Sequence, residues 1–270
     1  MVTHLRALRH EKLLLTKGFI LASILVSFSL ALGAQTAPKT SQKSTKAPAQ
    51  KSAAPAGHPT AVIHTTAGDM KCELFPDKAP KAVANFVGLA KGTKPWNNPA
   101  TGKPVHGKPL YDGVIFHRVI PEFMVQTGDP SGTGSGDVGF EFKDELLPDL
   151  LFDQPGRLAM ANRGPNTNSS QFFITEKEVP FLNPCLDPNG CMGGRRAPNS
   201  GYTIFGQCDQ DAVELVKKIA RMPCTGGPCN ANNSRPTNPV KITHIDIQGA
   251  GSSAKPAAKK TPAQPKTAPK

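Results

Sequence analysis

Eight short β-prone runs, parted by Gly-, Pro- and Asn-rich turns and interrupted by only two amphipathic helical stretches, confine the middle of this 270-residue chain to a mainly β fold. Ala61 to Thr66 and Met70 to Phe75 flank Ala67, Gly68 and Asp69, the composition of a hairpin turn. Further runs span Val114 to Ile120, Phe123 to Thr127, Arg157 to Asn162, Gln171 to Thr175 and Thr203 to Cys208, and Val240, Ile242 and Ile245 close the series. Pro80 stands where a helix begins without losing a needed N–H, and Val83, Phe86, Val87 and Ala90 recur at helical spacing before Gly92. A second helix is expected from Asp211 to Ala220, with Val213, Val216 and Ile219 on one side. Residues Thr93 to Pro109 read as an exposed loop. So many strands with two helices predict a closed antiparallel β-barrel of about eight strands capped by two α-helices, rather than βαβ units.

The ends have a different composition. Arg6, Arg9, Lys12 and Lys17 precede an apolar run from Phe19 to Leu32 and the small residues Gly33 and Ala34, which predicts a signal peptide over residues 1–34. The run is shorter than the roughly 20 residues that cross a bilayer, so a permanent anchor is the weaker reading. Residues 35–57 and 249–270 use almost only Ala, Pro, Lys, Ser, Thr, Gln and Gly, and are expected to be a disordered linker and tail around one folded domain at 58–248. That domain is long enough to bury a self-sufficient core.

The formal charge of +12 is carried by the ends: residues 58–248 hold 19 Lys/Arg and 19 Asp/Glu, which leaves 13 and 1 outside. A neutral domain gives no signal for specific nucleic-acid binding, while the lysine-rich tails are suited to contact anionic envelope polymers. The chain is expected to be exported to the periplasm or cell envelope and to act as a monomer.

Six cysteines in an exported chain invite disulfides. Cys185 with Cys191 and Cys224 with Cys229 are close pairs in loop-like stretches and are the first expectation, with crosswise bridges or a four-thiolate metal site as alternatives. Cys72 and Cys208 fall inside strand-like runs, where a cysteine is ordinarily a small buried hydrophobe.

Several motifs fail on context. Gly134-Ser135-Gly136-Asp137-Val138-Gly139 has dinucleotide-loop spacing, but Phe140-Glu141-Phe142 follows in place of a helix N-terminus. There is no Gly-x-Ser-x-Gly elbow and no His-Glu-x-x-His pair, and neither a metal nor any other cofactor is implied.

What remains is a dense set of apolar and amide residues around one arginine. Phe116-His117-Arg118-Val119-Ile120-Pro121-Glu122-Phe123-Met124-Val125-Gln126-Thr127-Gly128-Asp129 alternates as a strand, turns at Pro121 and resumes. Met160-Ala161-Asn162-Arg163-Gly164-Pro165-Asn166-Thr167-Asn168-Ser169-Ser170-Gln171-Phe172-Phe173-Ile174 follows, and then Phe181-Leu182 and Tyr202-Thr203-Ile204-Phe205-Gly206. From about Ala61 to Ile247 the chain resembles the cyclophilin family of peptidyl-prolyl cis/trans isomerases. The resemblance implies a cyclophilin-like barrel acting without cofactor on proline-containing polypeptides. It implies that Phe123, Met124, Phe173 and Leu182 receive the proline ring beneath Arg118. Gln126, Asn162, Gln171 and the backbone at Ala161 would hold the flanking peptide, with His117 supporting the arginine. Phe181 and Tyr202 stand on the pocket rim where the best-known eukaryotic members have tryptophan and histidine, which puts tight cyclosporin binding in doubt.

The chemistry suits these residue types. Rotation about an X-Pro bond makes and breaks no covalent bond, and the twisted imide nitrogen becomes a better acceptor, which a fixed guanidinium stabilises. An alternative use of the same groove is a non-catalytic module that holds proline-bearing partners and is tethered in the envelope by the basic tails. Intact Arg118, Phe123 and Gln126 weigh against it.

Overall fold

The computed structural model describes residues 57–192 and 196–249. The expected signal peptide, nearly all of the linker and all but Gly249 of the tail lie outside the described residues. In chain order the elements are β1 (Thr60–Thr65), β2 (Gly68–Leu74), α1 (Pro80–Ala90), β3 (Trp96–Asn97), β4 (Pro104–Val105), β5 (Arg118–Ile120) and β6 (Met124–Thr127). They continue with β7 (Arg157–Met160), β8 (Phe172–Thr175), a 3₁₀ turn (Pro180–Leu182), β9 (Ile204–Cys208), α2 (Gln210–Ala220), β10 (Pro223–Cys224), β11 (Gly227–Pro228) and β12 (Ile242–Gln248).

Eight of these strands form one antiparallel sheet in the order β12-β1-β2-β9-β7-β8-β6-β5. The sheet curls but does not close, which corrects the expectation of a closed barrel. The segment before β5, expected to be strand from Val114, meets the segment before β12 only through an isolated Ile115–Lys241 bridge and single backbone bonds such as Phe116 N to Val240 O (2.9 Å). The two edges of the sheet approach but pair too briefly to make a ladder. The stretch expected to be all loop also contains a two-residue ladder between β3 and β4, fixed by the buried Trp96 donating Nε1–H to Lys108 O (3.1 Å).

Side-chain alternation divides the sheet into two faces. Val125, Leu158, Met160, Phe172, Ile174 and Phe205 point into the main core under α1, where Phe86 packs against Tyr111, Phe172 and Phe205 at 5.2–5.4 Å between ring centroids. Their neighbours Met124, Ala159, Phe173 and Ile204 point the other way and join Phe152, Val179 and Leu182 in a second apolar cluster. Burying a large apolar side chain is worth about 1.5–3 kcal/mol, so both faces contribute to stability.

The two helices are capped by different means. α2 begins after Asp209, whose carboxylate accepts from Ala212 N at 2.9 Å. α1 has Pro80 in its first turn but no local side-chain cap; the Glu145 carboxylate accepts from Lys81 N and Ala82 N at 2.9–3.1 Å from 63 and 64 residues away.

The cysteines form three disulfides: Cys185–Cys191, Cys224–Cys229 and Cys72–Cys208. The last corrects the reading of Cys72 and Cys208 as ordinary buried hydrophobes. The register of β2 on β9 places the two directly opposite each other, with Cα atoms 3.8 Å apart. Asp209 N bonds to Lys71 O beside them, so they occupy a non-hydrogen-bonded pair, where facing side chains come closest.

Candidate active site

One cross-strand row builds the site. Arg118 on β5 faces Gln126 on β6, Gln126 faces Phe173 on β8, and Phe173 faces Ala159 on β7, which pairs with Ile204 on β9. Register therefore sets a cation, an amide and an aromatic ring side by side on the face opposite the main core. The hairpin that brings β5 and β6 together turns at Pro121 and Glu122, with Glu122 at φ 60° and its N–H held by the buried Glu176 carboxylate at 3.0 Å.

Above this row lies a recess of about 380 Å³ lined by Arg118, Phe123, Met124, Gln126, Ala161, Asn162, Phe173, Leu182 and Tyr202. Its floor is rigid. Phe173 stacks on Phe152 at 5.8 Å and meets Tyr202 edge-on at 5.5 Å. Arg118 Nη1 donates to Gln126 Oε1 at 3.1 Å, and its guanidinium carbon lies 5.9 Å from the Phe123 ring centre. Gln126 Nε2 donates to Gln171 Oε1 at 3.0 Å, and Gln171 Nε2 donates to Gly134 O at 3.0 Å, so the relay from arginine to loop is directional throughout. Burial lowers the Arg118 pKa, yet at neutral pH the guanidinium stays charged.

A second recess of about 420 Å³ adjoins the first and shares Gln126, Ala161 and Asn162 with it. Gln171 lines this second recess, together with Gly134, Gly136, Arg163, Thr167 and Ser169. The glycine-rich stretch that failed as a nucleotide loop is thus a wall of the site. It is held from below by Asp129, whose carboxylate accepts from Ser131 Oγ and from the N–H groups of Ser131, Gly134 and Gly136. Burial would raise the Asp129 pKa, but these bonds outweigh it and keep the carboxyl below its usual range. A Cβ on Gly136 would lie 2.1 Å from Asp129 Oδ1, so only glycine fits there.

Two sequence-predicted residues fall outside both recesses. His117, at 5% exposure, lies behind the site; neither of its ring nitrogens has a hydrogen-bond partner, and it makes no bond to Arg118, so the expected support of the arginine is not a direct one. Burial holds this imidazole below its ordinary pKa, with Asp129 opposing the shift. Phe181 is 53% exposed and packs on Phe123 at 5.4 Å, forming the rim and not the floor. Asn162 Nδ2 is engaged by Gly201 O at 2.8 Å. Thr167, Ser169 and Arg163 were not anticipated as lining residues, because they belong to a polar loop with no periodicity and only the fold brings them to the recess that Gln171 lines.

Fold and site together define a class: a cyclophilin-like half-barrel with a peptide-sized recess, in which a cation and amides face an apolar floor and no lining side chain pairs a nucleophile with a base. The model of the family "Cyclophilin type peptidyl-prolyl cis-trans isomerase/CLD" matches residues 60–247. The chain is 48% identical over 190 residues to the peptidyl-prolyl cis-trans isomerase A of Mycobacterium tuberculosis, covering 70% of this chain and 91% of that one. It is 41% identical over 189 residues to the peptidyl-prolyl cis-trans isomerase B of Streptomyces anulatus, covering 70% and 95%. A solved Cryptosporidium parvum cyclophilin type peptidyl-prolyl cis-trans isomerase superposes with a TM-score of 0.50 at 33% identity, over 70% of this chain and 96% of the other. This chain belongs to the cyclophilin-type peptidyl-prolyl cis-trans isomerases.

Proposed function

We propose that the chain accelerates rotation about X-Pro bonds of exported polypeptides, with Arg118 as the residue that stabilises the twisted imide. The observation that carries this reading is the guanidinium fixed by Gln126 at the edge of a recess floored by Met124, Phe173 and Leu182. A proline ring seated on that floor puts its imide nitrogen beside the cation. In the planar ground state the nitrogen lone pair is delocalised into the carbonyl and accepts poorly. At half rotation the lone pair is localised, and a donor already held in position strengthens its bond without reorganising. The apolar floor excludes water that would favour the planar, polar amide.

Gln126, Asn162, Gln171 and the Ala161 backbone hold the peptide on either side of the proline. A second solved structure of the Cryptosporidium parvum enzyme was obtained in the presence of the dipeptide Ala-Pro. Export rests on the basic and apolar first 34 residues and the lysine-rich linker, and places the enzyme in the periplasm or cell envelope, with the basic tails against anionic polymers.

Isomerisation of a short X-Pro peptide, followed by NMR exchange, tests the catalytic role. Removing one pre-positioned donor costs about 10²–10³-fold in rate, so Arg118→Ala should lose that much of kcat/KM while remaining folded. Equal rates for the two proteins would remove Arg118 from the mechanism.

A further inference from the structure

We propose that His64, His244 and Asp246 form a binding site for a zinc-class divalent metal ion on the solvent face of the sheet, where the first and last strands meet. The residues come together only through register. His64 on β1 lies opposite His244 on β12 and, on its other side, opposite Asp69 on β2, while Asp246 is the next residue along β12 on the same face. The two imidazoles stack at 4.2 Å between centroids with their planes 13° apart. One nitrogen from each and one Asp246 oxygen all lie within 4.8 Å of one another.

The proton positions follow from the neighbours. His64 Nδ1 is 2.9 Å from Asp69 Oδ1, and a carboxylate only accepts, so Nδ1 carries the hydrogen. The Thr243 hydroxyl donates to His64 O at 3.1 Å and therefore accepts from His244 Nδ1 at 3.2 Å, which puts the hydrogen on Nδ1 there as well. In the neutral rings both Nε2 lone pairs are left bare. They lie 3.6 and 4.0 Å from Asp246 Oδ2, so three acceptors cluster with no donor between them. Three acceptors at such distances repel unless a proton or a metal ion sits among them, so the metal competes with protons for the same lone pairs.

The donor set selects the cation. Two imidazole nitrogens and one carboxylate oxygen suit zinc and its neighbours, whereas magnesium and calcium require oxygen. The Asp69–His64 pair repeats the arrangement in which a carboxylate holds a metal-binding histidine by its far nitrogen and fixes its tautomer. Ligand distances of about 2.0–2.2 Å need the three atoms drawn inward by under about 1 Å and the stacked rings turned out of parallel so that both in-plane lone pairs meet the ion, for which side chains 25–59% exposed have room. Water completes the tetrahedron. None of the three residues lines either recess of the active site. Occupancy would tie β1 to β12 and raise the stability of the folded chain, since the unfolded chain holds no such array.

Calorimetric titration of the full chain with zinc chloride tests the site, with magnesium chloride as control. One equivalent of zinc should bind and magnesium should not. His64→Gln, His244→Gln and Asp246→Asn should each weaken zinc by at least about tenfold and leave X-Pro isomerisation at the wild-type rate, which also shows that each variant is folded. The melting temperature should rise with zinc in the wild type alone. The proposal is overturned if the wild type takes up no zinc, or if a His64→Gln/His244→Gln protein with intact isomerase activity binds it as the wild type does. Loss of the bound zinc in His58→Gln instead, where His58 faces Glu73 and Asp77, would overturn it as well.

Discussion

Cutting the Cys72–Cys208 cross-link should cost more stability than cutting either of the other two disulfides, because of the length of chain it closes. The bond joins residues 136 apart, whereas the other two span 6 and 5. Loop-closure entropy lost from the unfolded chain scales as a constant plus 1.5R ln n, which gives about 5 kcal/mol at 25 °C for the long loop and about 2 kcal/mol for each short one. Folded-state changes on removal are small by comparison, since both residues are buried and β2 still pairs with β9 through its backbone. The Cys72→Ala/Cys208→Ala protein should therefore fold, and lose about 4–6 kcal/mol from a total that for domains of this kind is about 5–15 kcal/mol. Urea unfolding under oxidising conditions, which leaves the short-loop bonds intact, measures the difference. The slope of free energy against urea should also steepen, because the unfolded chain without the cross-link exposes more surface. A loss below about 1.5 kcal/mol with an unchanged slope would refute the entropic reasoning.

Phe173→Ala removes the floor of the recess and a ring packed between Phe152 and Tyr202, so urea unfolding should show a loss of about 3–5 kcal/mol, with peptide turnover reduced as well. His117 is held neutral by burial, its folded pKa lying below the 6.5 of an unstrained imidazole, with Asp129 opposing and Arg235 and Arg118 reinforcing the shift. Between those two values the unfolded chain binds more protons, so stability should fall as pH drops through that window and should fall less in His117→Gln. Urea midpoints at neutral and mildly acid pH compare the two, and parallel losses would sink this account.

The amino-acid order alone carried the local pattern and most of the site. Period-2 runs and two amphipathic stretches are written in neighbours two to four residues apart, so seven of the expected strands and both helices appear within a few residues of their predicted ends. Arg118, Phe123, Met124 and Gln126 share one hairpin, and Ala161, Asn162, Gln171 and Phe173 lie within one strand-loop-strand unit, so their order already grouped them. Tertiary structure decided what depends on which strand lies beside which. It brought Cys72 opposite Cys208 and His64 opposite His244, carried Glu145 to the start of α1, set Thr167 and Ser169 in one recess with Gln171, and left the barrel unclosed between β5 and β12. These pairings join segments up to 180 residues apart, and their register is set by the packing of both sheet faces together, a quantity no local window contains.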